Sequence, residues 1–310
     1  MRARTAAPAK VNLFLRVLGK RHDGFHEIRT VFQAIDLVDE VVVERGGRGV
    51  TLDVRGAELG PEEENLAYRA AESFLAHGDD GEGARIELVK RIPAGAGLGG
   101  GSSDAAAVLR CLAATTSPAP SAGDLARMGA ALGSDVPFFL SPGPLALAEG
   151  RGDVLVSVPP LPEADLVVAL PPVHVATAAA YGALRREAWV GDDSDTVGDP
   201  TLEETDPTAF GRAGTLDVPR RWEDVASWMA NDFQPVVAGM HEAVGHSLAA
   251  LERAGARATL LSGSGGASFG LFGTRDAAKR VASELTRRLG WRFVATRTLS
   301  AWPDVTVSGP

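Results

Sequence analysis

Apolar and β-branched residues gather in short runs over 11–18, 40–44, 86–89 and 166–170, each bounded by turn residues, and these runs predict strands. Helical spacing or strong helix formers occupy 65–76, 103–114, 122–132, 225–229, 235–254 and 277–289. Strands and helices alternate without the regular βαβ rhythm of a doubly wound sheet, so the pattern predicts an α+β fold. Proline and glycine punctuate 141–152 and 159–162, which places a domain junction there and divides the chain into 1–155 and 156–310. Residues 191–218 are acidic, rich in Thr, Gly and Pro, and without period, so they read as a flexible insertion.

Composition narrows the class of partner. The 310 residues are 45% hydrophobic, enough for a substantial core. A net charge of -9 argues against nucleic acid or an anionic membrane surface, so a small-molecule partner is expected. No apolar stretch approaches the roughly 20 residues that span a bilayer. The first ten residues lack an apolar leader, and the single cysteine, Cys111, excludes an intramolecular disulfide; a cytoplasmic protein is expected. Cys111 lies in an Ala-rich helical run and reads as a buried, inert thiol. No interface is legible, which leaves monomer and homodimer both open.

The chemistry is concentrated in residues 93–103. A strand-like run precedes them, five glycines fall within seven residues, and a serine-led helix follows. Glycines let backbone approach phosphate oxygens, and the free N–H groups and dipole of the helix start favour negative charge. Pro93, Gly95, Gly97, Leu98, Gly99, Gly100, Gly101, Ser102 and Ser103 are therefore the candidate nucleotide-phosphate loop. Gly95, Gly97 and Gly100 also satisfy a dinucleotide fingerprint, but residues 115–123 are a Ser/Pro/Ala-rich linker where a second strand with an acidic end would be needed. A Walker A loop needs a lysine after its last glycine, and serine stands there. The catalytic-loop and D-F-G signatures of protein kinases are absent.

The loop resembles the P-x-x-x-G-L-G-S/G-S-S motif of the GHMP kinase superfamily. The match extends to Pro8-Ala9-Lys10-Val11-Asn12, to Gly24-Phe25-His26, to Gly133-Ser134-Asp135-Val136-Pro137, and to Ser262-Gly263-Ser264-Gly265-Gly266. The first two of these segments resemble the N-terminal signature of the branch acting on a cytidine diphosphate conjugate of methylerythritol, and the other two its central and third motifs. The resemblance implies a two-domain GHMP kinase fold, with ATP and substrate in the interdomain cleft. It implies ATP as phosphoryl donor, with Mg2+ and Ser103 as its candidate ligand. Other GHMP substrates, namely homoserine, mevalonate or a sugar, and a non-catalytic ligand-binding regulator, are the alternatives.

By the same resemblance, Lys10 and Asp135 are the catalytic pair, Asp135 accepting the hydroxyl proton and Lys10 neutralising developing charge. A neighbouring ammonium weakens any carboxylate as a base, but phosphoryl transfer needs little early deprotonation. Asp135 could equally be a cap for the helix beginning Val136-Pro137. Phe25 and His26 are implied at the cytosine, as stacking face and hydrogen-bonding edge. Relatives often carry tyrosine in place of Phe25. Asn12 and Thr177 are implied at the substrate, and Asn65 and Lys90 near the adenine. Asp104 replaces an asparagine common in relatives and is expected to face away from the phosphates. Gly266 replaces a more common proline.

Overall fold

The computed structural model describes residues 1–78, 81–188 and 221–309; the expected insertion at 191–218 lies outside the described residues. The chain begins with β1 (Arg2–Lys20), β2 (His26–Arg45), β3 (Val50–Arg55), α1 (Leu66–Leu75) and β4 (Ala84–Val89). It continues through α2 (Gly100–Ala114), α3 (Ala122–Leu132), α4 (Val136–Leu140), β5 (Leu145–Glu149), β6 (Val154–Ser157), β7 (Asp165–Leu170) and α5 (Thr177–Ala188). After the undescribed stretch come α6 (Trp222–Trp228), β8 (Ala230–Asn231), α7 (Phe233–Met240), α8 (Glu242–Arg253), β9 (Thr259–Leu261) and β10 (Ser268–Phe272). The chain ends with α9 (Arg275–Leu289), β11 (Arg292–Arg297) and β12 (Thr306–Ser308).

Two sheets organise these elements, one in the order β12-β1-β2-β4-β3 with β5, β6 and β8 alongside, the other β11-β7-β10-β9. The α+β expectation holds. β1 and β2 are far longer than the runs at 11–18 and 40–44 suggested. Their ladder is interrupted by register shifts between Pro8/Ala9, Asn12/Phe14 and Val17/Gly19. Each shift resets the period-two alternation, and residues 7–15 are buried on both faces, so no regular pattern survives in the sequence. The single helix expected over 235–254 is broken at His241, whose extended backbone separates α7 from α8.

Apolar clusters hold the layers together. α1, α2 and α4 pack on the first sheet through Phe32, Ile86, Leu109, Leu112 and Phe138. A second cluster joins Val11, Leu13, Ile35 and Leu98 from the first half to Val168 and Phe269 from the second, so the two sheets share a core. α8 and α9 cover the second sheet through Leu251 and Leu285. Cys111 is buried in α2, and burial pushes its thiol up to about 12.

The chain end returns to the first layer. β12 pairs with the start of β1, and β6 continues the first sheet through Ser157, past the expected junction at 155. Punctuation in sequence reports where the chain turns, not which strands later come back. Trp302 donates its indole N–H to the Ser141 carbonyl at 2.7 Å and sits edge-on to Phe138 at 5.4 Å. Trp302→Ala should therefore lower the unfolding free energy by about 3 kcal/mol in urea titration. A loss under about 0.5 kcal/mol would show that the tail contributes nothing to the first layer.

Candidate active site

Lys10 and Asn12 lie two residues apart on β1, so both side chains leave the same face. The Lys10 ammonium, 5% exposed, donates to Asn12 Oδ1 at 2.7 Å and stands 3.8 Å from Asp135 Oδ2. Asn12 Nδ2 donates in turn to Thr30 Oγ1 at 2.7 Å, and Thr30 donates to the Phe14 carbonyl at 2.6 Å. That relay fixes the amide with its oxygen toward the ammonium. Phe32 places its ring 5.1 Å below the same charge. Burial lowers the Lys10 pKa from its ordinary value, and Asp135 opposes the shift.

Asp135 precedes α4 but caps nothing, because its side chain makes no hydrogen bond to the helix start. The competing cap reading is therefore not realised. Its carboxylate, 31% exposed, is left facing Lys10 and the cleft.

The glycine loop is held by backbone contacts on two sides. The Lys10 N–H donates to the Leu98 carbonyl at 2.9 Å, and the Ala267 N–H to the Ala96 carbonyl at 3.1 Å. Ser262 Oγ adds a bond to the Gly97 carbonyl at 3.0 Å. Gly97 has φ +81°, and a Cβ there would meet the Ser262 carbonyl oxygen at 2.2 Å, so the loop and the Ser262–Gly266 turn touch with no room for side chains. Gly99 caps α2 in the left-handed region, and a Cβ on it would sit 3.1 Å from Lys10 Cγ. Lys10 thus lies where the loop, the turn and Asp135 converge.

Lys90 is held in the interior. Its ammonium is 3% exposed and bonds Asp39 at 2.5 Å and Asp104 at 2.6 Å. It lies beneath the first turn of α2, 3.3 Å from where a Gly100 Cβ would be. The neighbouring apolar strand gave no sign of the two carboxylates, which come from β2 and α2. Asp39 Oδ1 also accepts from the N–H groups of Arg91 and Ile92, tethering the entry to the loop. Asp104 is buried and turned toward Lys90. Burial pushes its carboxyl up to about 7, with Lys90 pulling it down and Asp39 pushing it further up. Burial also acts against the Lys90 charge, but Asp104 and Asp39 outweigh it and raise that pKa.

The remaining expected residues fall at a cavity, at the start of α1 and in the loop. Phe25, His26 and Thr177 line a cavity of about 700 Å³ together with Ser134, Arg151 and Tyr181. His26 stacks on Tyr181 at 4.2 Å, and Thr177 Oγ1 accepts from Ser264 at 3.2 Å. Burial, then the charge of Asp135, pushes the Tyr181 hydroxyl up to about 12. Tyr181, Arg151, Thr30 and Asp39 were missed in the sequence because no local motif surrounds them. Asn65 caps α1, its Oδ1 accepting from the Ala67 N–H at 2.9 Å. Ser103 is buried with no hydrogen-bond partner for its hydroxyl, while Ser102 is half-buried. Gly266 packs on Val173, where a Cβ would come within 2.7 Å of Val173 Cγ2.

A two-layer fold whose glycine loop faces a buried lysine and a carboxylate defines a small-molecule phosphotransferase. The family models for the GHMP kinases N terminal domain and GHMP kinases C terminal match residues 65–143 and 209–290. The chain belongs to the GHMP kinases. A relative from Citrifermentans bemidjiense, named 4-diphosphocytidyl-2-C-methyl-D-erythritol kinase, is 39% identical across 94% of this chain and 98% of its own. A crystal structure of 4-(cytidine 5'-diphospho)-2C-methyl-D-erythritol kinase superposes with TM-score 0.75 at 37% identity, covering 95% of this chain and 98% of the other. A homoserine kinase from Cytophaga hutchinsonii shares the fold, with TM-score 0.70 at 19% identity over 98% of this chain and 97% of the other.

The buried triad makes a pH-dependent prediction. A carboxyl raised to about 7 in the folded protein, from 3.8 ordinarily, adds stability that is complete below pH 4 and lost as pH rises through 7. Asp104→Asn removes this titration. Urea midpoints at pH 5 and pH 8 should show the variant gaining on the parent as pH rises; a constant difference would contradict the assignment.

Proposed function

We propose that the chain transfers the terminal phosphoryl group of ATP to the 2-hydroxyl of 4-diphosphocytidyl-2-C-methyl-D-erythritol, a step toward isoprenoid precursors. The convergence of the phosphate loop, Lys10 and Asp135 at one point carries this reading. The cavity lined by Phe25 and His26 adjoins it through Ser134 and Tyr181, which suits a substrate with a base at one end and a reacting alcohol at the other.

The geometry supports the following roles. Loop N–H groups between Gly95 and Ser103, with the N-terminus of α2, receive the ATP phosphates. The amide NH2 of Asn65 is its remaining group for the adenine, since Oδ1 serves the cap. The substrate hydroxyl lies between Lys10 and Asp135, with Asn12 and Thr177 beside it. Asp135 accepts the proton as the oxygen attacks phosphorus, and Lys10 neutralises charge on the transferring group. Low water access around Lys10 strengthens that interaction. Phe25 stacks on the cytosine and His26 hydrogen-bonds its edge.

Mg2+ accompanies ATP in this reading. No group of three His, Cys, Asp or Glu able to hold a metal occurs among the described residues, so ATP oxygens and water would supply most ligands. The unpartnered Ser103 hydroxyl is the protein group whose chemistry fits the ion. When bound, the ion neutralises charge on the β- and γ-phosphates. Among the described residues no helix is long and apolar enough to cross a membrane, and we assign the enzyme to the cytoplasm.

An ADP-release assay with the cytidine diphosphate conjugate, run beside mevalonate, homoserine and galactose, should show turnover on the conjugate alone. Turnover on another alcohol instead would overturn the substrate assignment. Lys10→Ala and Asp135→Asn should each lower kcat by about 10²- to 10⁴-fold with the fold intact by circular dichroism. Unchanged kcat in either variant would remove that residue from the mechanism.

A further inference from the structure

We propose that Arg151 is a positioning residue for Phe25, and that through this ring it sets the affinity for the cytidine end of the substrate. The inference rests on the activity proposed above and adds to it a residue that no motif marked.

Phe25 is 53% exposed at the turn between β1 and β2, so the core does not hold its ring. The Arg151 guanidinium lies over it, 4.8 Å from the ring centroid. A cation in that position attracts the negative face of the ring and leaves the opposite face for a ligand. Both residues line the cavity.

The guanidinium is itself fixed. Arg151 donates from Nε and Nη2 to Asp153 Oδ2 at 3.2 and 2.9 Å, and from its backbone N–H to Asp153 Oδ1 at 3.1 Å. The turn carrying it uses left-handed Gly150 and Gly152, with φ +70° and +92°. That turn is joined to β2 by the Ile28 N–H to the Gly150 carbonyl at 2.8 Å and by the Gly150 N–H to Glu27 Oε1 at 3.1 Å.

Glu27 closes the circuit. Its second oxygen takes Arg21 at 2.5 Å, Arg21 bonds Asp23 at 3.2 Å, and Asp23 accepts from the Phe25 N–H at 3.1 Å. The Arg21 N–H also donates to the Phe25 carbonyl at 2.8 Å. The backbone of Phe25 is thus held from one side and its ring from the other, with Arg151 supplying the ring contact. Each ion pair here is solvent-exposed and weak alone, but the ring of contacts limits the ways Phe25 can turn. The gain is pre-organisation of a stacking surface, which acts on binding and not on the chemical step.

The test compares Arg151→Ala and Arg151→Lys in the parent and in Phe25→Leu. In the parent, Arg151→Ala should raise KM for the conjugate about three- to fivefold, the size of an exposed cation–π contact, while kcat and KM for ATP stay within error. Arg151→Lys should recover part of the loss. In Phe25→Leu, Arg151→Ala should change KM little, because the ring it positions is gone. An unmoved KM for the conjugate, an equal effect in both backgrounds, or a parallel fall in kcat would each overturn the proposal. Calorimetric affinity for cytidine 5'-diphosphate should follow the same order. It separates the two readings: absence of turnover by the parent protein defeats the activity, whereas parental binding that Arg151→Ala leaves unchanged defeats only the role of Arg151.

Discussion

Burial of the Lys10 ammonium imposes a condition on everything packed around it. A charge taken out of water must be met by dipoles and opposite charge, or it is neutralised. Here the Asn12 amide, the Phe32 ring and the Asp135 carboxylate meet it, and Thr30 turns the amide the required way. The resulting position is useful for catalysis because it is dry. An ammonium screened from solvent acts strongly on charge developing beside it. Gly99 follows from the same packing, since a Cβ there would come within 3.1 Å of Lys10 Cγ.

A second buried ion cluster supports the loop from beneath. Lys90 joins Asp39 on β2 to Asp104 on α2, and Asp39 also gathers the N–H groups entering the loop. Burial, with the second carboxylate of Asp39 beside it, pushes the Asp104 carboxyl up to about 7, while Lys90 pulls it down. The arrangement anchors the strand end and the helix start to one another without a lysine in the loop itself. In the proposed reading the phosphates consequently meet backbone N–H groups and the helix dipole, with Lys10 as the charged group.

The glycine loop, Lys10, Asp135 and the cavity residues Phe25, His26 and Thr177 were singled out before the structure, most of them because they lie in short motifs. Glycine at a positive φ, a helix beginning directly after, and Asp135 ahead of Val136-Pro137 are local facts. Lys90 was not legible in the same way. A lysine at a strand end has the same sequence whether it is solvated or buried, and its partners stand 51 and 14 residues away. Tyr181 and Arg151 escaped for a related reason, as their contacts with His26 and Phe25 join chain segments far apart.

By itself the sequence determined the α+β class, the phosphate grip and the residue types of a small-molecule kinase, since these rest on period, backbone freedom and motif spacing. The tertiary structure decided the lengths of β1 and β2, the return of the chain end to the first sheet, and the partner of each buried charge. Those outcomes depend on which distant groups are left to satisfy a polar atom once water is excluded, and no stretch of neighbouring residues carries that information.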